Sequence, residues 1–157
     1  TGYNGQLIKQ TDVNMLAYPL GVITDREQAL RDINYYFDRI DPNGPAMSNA
    51  IIAVLHARLG DPETAFKVFK KSYTDKLRPP FGVLSENANN SRVSFATGLG
   101  GILQSVIFGF AGVEITPEGI IQLPTRLPSH WKSLTVTGVG VDRLTFKVEN
   151  PDYKATK

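Results

Sequence analysis

The chain contains no cysteine, which excludes disulfides, thiolate metal sites and a thiol nucleophile. It has two histidines, His56 and His130, in unrelated surroundings, too few and too far apart to predict a histidine-based zinc site. Charge of either sign is scarce: 17 Lys and Arg face 15 Asp and Glu, a formal net charge of +2, too balanced for a nucleic-acid binder. The densest basic cluster, Lys70-Lys71, Lys76 and Arg78, follows a predicted helix and reads as a solvated face. No apolar run reaches the roughly 18 residues that span a bilayer. The apolar stretch 98–113 is interrupted by glycines and Gln104, so a buried helix is expected there rather than an anchor. No signal-peptide pattern opens the sequence, although a processed or excised chain would lack one. Compartment stays open, with a secreted, lysosomal, vacuolar or periplasmic location the expectation.

What the sequence does contain is a run of helix signals followed by strand signals. A brief helix is expected over 12–18, closed by Pro19. Thr24 and Glu27 form a capping-box pattern ahead of Leu30, Ile33 and Phe37, predicting a helix over 25–39. Pro45 suits the first position of a third helix, which Gly60 stops, and Asp61-Pro62-Glu63 starts a fourth with an Ala65, Phe66 and Phe69 stripe. Pro79-Pro80 breaks this pattern. From Phe95 the sequence FATGLGGILQSVIFGFAG is apolar nearly all round, as in a helix buried among others. After Gly112 short strands are expected at 113–115 and 120–122 around Pro117-Glu118-Gly119, and at 134–137 and 144–148 around a turn at 138–142.

This order predicts a mainly α chain with a C-terminal β region, divided near Gly112 into residues 1–112 and 113–157. Four strands make too small a β region for a complete sandwich. One helix apolar on every face needs more neighbours than five helices supply. The expectation is a chain that docks on, or was cut from, further polypeptide.

Glu86 lies between Ser85 and Asn87 in a loop rich in Asn and Ser. A carboxylate among uncharged hydrogen-bonding neighbours suits sugar chemistry. A surface glutamate in a loop is the plain alternative. The other carboxylates fit structural roles: Asp12 as a cap or first-turn charge, Asp61 and Glu63 as capping groups, Asp38 and Asp41 beside a turn. His56 is expected to be a satisfied core residue, and Trp131 to pack between the helical and β regions. Asn89-Asn90-Ser91 fits a glycosylation sequon, where no bulky glycan is expected beside the proposed site.

Four strings in order resemble the C-terminal part of glycoside hydrolase family 65. They are Ile8-Lys9-Gln10-Thr11-Asp12-Val13, Asn43-Gly44-Pro45-Ala46-Met47, Ser85-Glu86-Asn87-Ala88, and Phe95-Ala96-Thr97-Gly98-Leu99-Gly100-Gly101 continuing to Gly112. The resemblance covers roughly residues 3–131. It implies the last part of an (α/α)6 barrel followed by the start of a β-sandwich. It implies glucose contacts from Lys9 and Gln10, whose charged donor and mixed amide match vicinal hydroxyls. It places the general acid upstream of Lys9, in a missing segment or companion chain. Phosphorylases of the family carry a His where Phe95 stands, and a phenyl ring cannot donate to phosphate. The hydrolytic branch carries a glutamate that maps onto Glu86 as general base, with Ser85, Asn87 and Arg92 positioning it or the water.

The reading that follows is inverting hydrolysis of an α-glucoside, without metal or cofactor. The partner is a glucose-containing disaccharide or glycoconjugate: trehalose-like first, then α-1,2-linked glucose as in kojibiose or glucosylgalactosyl-hydroxylysine. A phosphorylase of the same family, or a non-catalytic carbohydrate-binding or scaffold fragment, are the alternatives.

Overall fold

The computed structural model describes residues 5–89 and 94–153. Its first half is helical. Helix α1 is a single turn, Asp12–Met15, shorter than expected, with Asp12 as its first-turn acid. The chain continues in turns, the amides of Ala17 and Tyr18 both reaching Asn14 O at 3.1 and 3.3 Å. Pro19 accounts for the early end, because the residue before a proline is driven out of helical backbone angles.

Helix α2, Arg26–Phe37, buries Ala29 and Ile33, one turn apart on one face. Its cap differs from the Thr24 and Glu27 pairing expected. Asp25 caps it instead, its carboxylate accepting the Gln28 amide at 2.7 Å. An ionised Asp meets both the orphan amide and the positive helix end, which a threonine hydroxyl does only in part.

Helix α3, Ala46–Arg58, is the hub of the molecule. Its residues from Ala50 to Ala57 are all buried, and it packs against α4 (Pro62–Lys71) and α5 (Ala96–Gln104). Gly60, at φ +82°, ends the α3 segment, and Asp61 then caps α4 by accepting the Thr64 amide at 3.0 Å. Pro62 takes the first helical position, as its sequence pattern predicts.

The helix buried on all sides is therefore α3, whereas α5 is two-faced. Gly98 and Gly101 are buried against α3, with an added Cβ on Gly101 falling 2.9 Å from Ala50 Cβ. Leu99 and Leu103, by contrast, are 46% and 61% exposed. The small residues let two backbones approach closely, and that closeness outweighs their weak helix propensity. Helix α5 runs on as a π-helical segment, Ser105–Phe110, closed by Ala111 N–H to Val106 O at 2.9 Å. Gly112, at φ +68° and with Leu123 O where a Cβ would sit, turns the chain out of the helix.

Three antiparallel hairpins complete the fold. Strands β1 (Leu77–Arg78) and β2 (Val83–Leu84) pair Leu77 with Leu84 and Arg78 with Val83 around the Pro79-Pro80 turn. Strands β3 (Val113–Thr116) and β4 (Gly119–Gln122) form the second hairpin. Strands β5 (Ser133–Val139) and β6 (Leu144–Glu149) form the third, with a register irregularity at Thr137/Val139. The helices and the later hairpins share one core. Phe69, Phe110 and Leu127 are buried in it, with Trp131, Leu134 and Val148 packed alongside.

His56 is buried as expected, but it is not fully satisfied. Its Nδ1 lies 3.8 Å from Asp61 Oδ2, while Nε2 has no hydrogen-bond partner among the described residues. Burial lowers its pKa from 6.5, against the opposing pull of Asp61. The unfolded chain therefore binds a proton here at a pH where the folded chain does not. This stability contribution is complete above about pH 6.5 and is lost as pH falls from there through the lowered folded value. A His56→Gln variant should unfold with a shallower pH dependence across that window. Denaturation midpoints at about pH 7 and about pH 5 test this, and equal slopes in both proteins would refute it.

Candidate active site

Glu86 emerges from the end of β2. Leu84 and Ser85 before it are buried, which anchors the strand and leaves the next side chain at the rim of the fold. The Ser85 hydroxyl bonds to the carbonyls of Lys76 (2.9 Å) and Asn87 (2.8 Å), and the Ser85 amide donates to Lys76 O. The carbonyl of Glu86 accepts the amide of Ala46, the first residue of α3, at 2.9 Å. The loop is thus fastened to the start of the hub helix.

Lys9 arrives at the same place by a separate route. Ile8 forms a parallel bridge with Ile40, its amide donating to Arg39 O at 2.7 Å and its carbonyl accepting from Asp41 at 2.9 Å. The Ser48 hydroxyl then donates to Lys9 O at 3.0 Å. Gly44 closes the neighbouring turn: a Cβ there would sit only 2.8 Å from Asp41 O, whereas Lys9 O, at 3.4 Å, would be in near-ordinary contact. The Lys9 Nζ ends 3.6 Å from Glu86 Oε1. These side chains are 67% and 31% exposed, so the pair contributes at most about 1 kcal/mol of stability and remains open to a ligand. Gln10, exposed one residue on, lines an open groove with Gln6, Lys9, Asp12 and Tyr36.

Three of the four distant sequence strings therefore converge on one point, and the fourth lies beside it. The amide of Phe95, at the entry to α5, donates to Leu84 O at 3.0 Å. Asn87 turns its side-chain oxygen to the Asn89 amide at 3.1 Å. Arg92, a sequence candidate for positioning, lies outside the described residues, as do Asn90 and Ser91 of the sequon.

Two residues of the basic cluster behave differently from a solvated face. Lys76 is buried, its Nζ donating to Lys71 O at 3.0 Å and Asp75 Oδ1 at 2.8 Å. The chain turns back at the end of α4, which brings the ammonium onto the carbonyl of that helix's last residue. Arg78 reaches across that hairpin to the carbonyls of Asn87 and Ala88. Sequence spacing held no signal for either role, because both depend on how the chain folds back after α4. Among the described residues no group of three or more His, Asp or Glu side chains is arranged to hold a metal ion.

This arrangement offers a carboxylate, able to take a proton from water, beside a cationic donor suited to sugar hydroxyls. The profile of the glycosyl hydrolase family 65 central catalytic domain matches residues 1–81. The chain is 49% identical over 148 residues to a kojibiose hydrolase of Mucilaginibacter mallensis, covering 94% of this chain and 22% of that protein. It is 36% identical to a protein-glucosylgalactosylhydroxylysine glucosidase of Dictyostelium discoideum, covering 94% and 20% respectively. Against a cell wall acid trehalase of Arthroderma benhamiae it is 32% identical, covering 82% and 13%. A solved structure, a putative kojibiose phosphorylase from human microbiome, superposes with a TM-score of 0.69 at 21% identity. The superposition covers 91% of this chain and 19% of that one, and it shows likeness of fold. The chain spans about a fifth of the length of the first two of these relatives. With the profile matching more than half its residues, the chain belongs to glycoside hydrolase family 65.

Proposed function

We propose that this chain is a portion of an inverting α-glucoside hydrolase with Glu86 as its general base. Its residues 1–112 form the closing part of an (α/α)6 barrel, and residues 113–157 the start of a β-sandwich. The observation that carries the reading is the convergence of Lys9 and Glu86, 77 positions apart in the chain, to 3.6 Å at the start of α3. Phe95 supports hydrolysis over phosphorolysis, since a hydrocarbon ring offers an anion no donor. The relatives named as hydrolases and glucosidases support it as well, and the 49% identical kojibiose hydrolase favours an α-1,2-linked glucose over trehalose.

In this mechanism Glu86 accepts a proton from water as the water oxygen attacks the anomeric carbon. The bond to the aglycone oxygen breaks at the same time. That oxygen takes its proton from a general acid contributed by polypeptide outside these 157 residues. Inversion requires the two carboxyl groups to stand about 6.5–9.5 Å apart, leaving room for the water. Lys9 and Gln10 hold hydroxyls of the glucose.

Kojibiose, trehalose and maltose, each supplied to the complete enzyme with and without phosphate, test the proposal. The expected result is phosphate-independent release of β-glucose, fastest from kojibiose, followed by NMR before the anomers equilibrate. Glucose 1-phosphate as product would refute hydrolysis, and an initial α configuration in the glucose unit whose anomeric carbon is attacked, followed with that unit 13C-labelled in kojibiose, would refute inversion.

A further inference from the structure

We infer that Arg78 is a positioning residue for Glu86, a role that rests on the reading of Glu86 as general base. Its Nη2 donates to Asn87 O at 2.9 Å and also to Ala88 O, the two carbonyls that follow the carboxylate in the chain. Its Nη1 lies 3.0 Å from Asp75 O and 3.3 Å from Leu77 O, on the chain leading into the hairpin. One guanidinium therefore joins the segment before the hairpin to the segment after Glu86.

Most of the remaining anchors act on the other flank. Ser85 is tied to Lys76 O by both its amide and its hydroxyl, and Glu86 O receives the Ala46 amide. On the far side of Glu86, Asn87 O receives Ser85 Oγ at 2.8 Å and Arg78, while Ala88 O receives Arg78. Without Arg78 the peptides of Asn87 and Ala88 lose the guanidinium that ties them to β1. A lysine cannot replace it, because an ammonium is a point donor, whereas the guanidinium fork reaches carbonyls on two sides at once. A displacement of about 1 Å in a catalytic group is enough to cost on the order of 100-fold in rate. Arg78 touches no reacting atom in this scheme. Its effect passes through the backbone to the carboxylate.

The test uses the complete enzyme with kojibiose, comparing Arg78→Met, Arg78→Lys and Glu86→Ala. Azide serves as an external nucleophile that needs no base. It attacks the anomeric carbon as the aglycone bond breaks, the general acid protonates the leaving oxygen, and β-glucosyl azide is formed. Arg78→Met should lower kcat by on the order of 10- to 100-fold with KM changed less than about threefold. Azide should restore a large share of turnover. Arg78→Lys should lie between, with the same azide response, and it decides the matter if Arg78→Met does not fold. Unchanged kcat in the Arg78 variants, or a loss that azide does not relieve, overturns the inference. If Glu86→Ala is inactive and azide-responsive while the Arg78 variants are normal, Arg78 has no positioning role and the base assignment stands. If Glu86→Ala keeps full activity, the base assignment itself falls.

Discussion

Replacing Glu86 with glutamine in the complete enzyme should lower kcat on an α-glucoside by about 10²- to 10⁴-fold, the usual contribution of a general base. An amide is nearly the same size as the carboxylate and keeps an acceptor oxygen, so the loop should survive. The anchors around it involve the main chain of Glu86, through its carbonyl to Ala46, and the side chains of Ser85 and Arg78. What disappears is the ability to accept a proton from water. Substrate affinity should change little, because hydroxyl contacts are assigned to Lys9 and Gln10. Steady-state kinetics therefore separate the assignment from a general structural lesion. A variant with near-normal kcat would leave Glu86 as an ordinary rim carboxylate paired to Lys9. A variant with normal kcat and raised KM would make it a binding group.

The second large effect expected is on stability. Phe110 is fully buried at the end of the π-helical segment, with ring centroids of Phe69 and Trp131 at 5.8 and 5.0 Å. Trp131 in turn packs against Phe66 of α4 at 5.5 Å. Phe110 is thus a meeting point of the helical half and the approach to β5. Truncation to alanine removes the whole ring from a site whose neighbours come from several elements and cannot all collapse inward. A cost of about 3–5 kcal/mol follows for Phe110→Ala. Hydrogen exchange should show the loss locally, with amides of β5, β6 and α4 exchanging faster while those of α2 are less affected. Uniform protection in both proteins would mean that the aromatic cluster does not join the two regions.

Much of the helical half was legible because its signals are local. Pro45, Gly60 and Asp61-Pro62 act on their own turns of chain and delimit α3 and α4, with Pro45 standing as the extended residue just before α3 rather than at its first position. Pro117-Glu118-Gly119 marked its hairpin for the same reason. The α2 cap moved by one residue, since Thr24 and Asp25 are adjacent capping types and only the folded entry angle selects between them. The β1–β2 hairpin was hidden because two-residue strands carry no periodicity and two prolines read as a break. Lys76 and Arg78 were misread together. Net charge and spacing describe a residue's own chemistry, whereas the Lys76 ammonium folds back onto the end of α4 and the Arg78 guanidinium reaches chain nine and ten positions away. At the candidate site Glu86 and Lys9 were each visible as residue types in suitable strings. Their meeting depends on pairings between distant segments, Ile8 with Ile40 and Ser48 with the Lys9 carbonyl, which no local signal announces.

Gly98 and Gly100 look equivalent in the sequence, yet a protein engineer should treat them as opposites. A methyl group on Gly100 would project into open space, whereas one on Gly98 would collide at once with Phe95, Ala46 and Leu84. Those three belong to the entry of α5, the start of α3 and the strand that delivers Glu86. Hardening this chain by exchanging helical glycines for alanine is thus feasible two residues away from the point where the same exchange would wedge the Glu86 loop off its support.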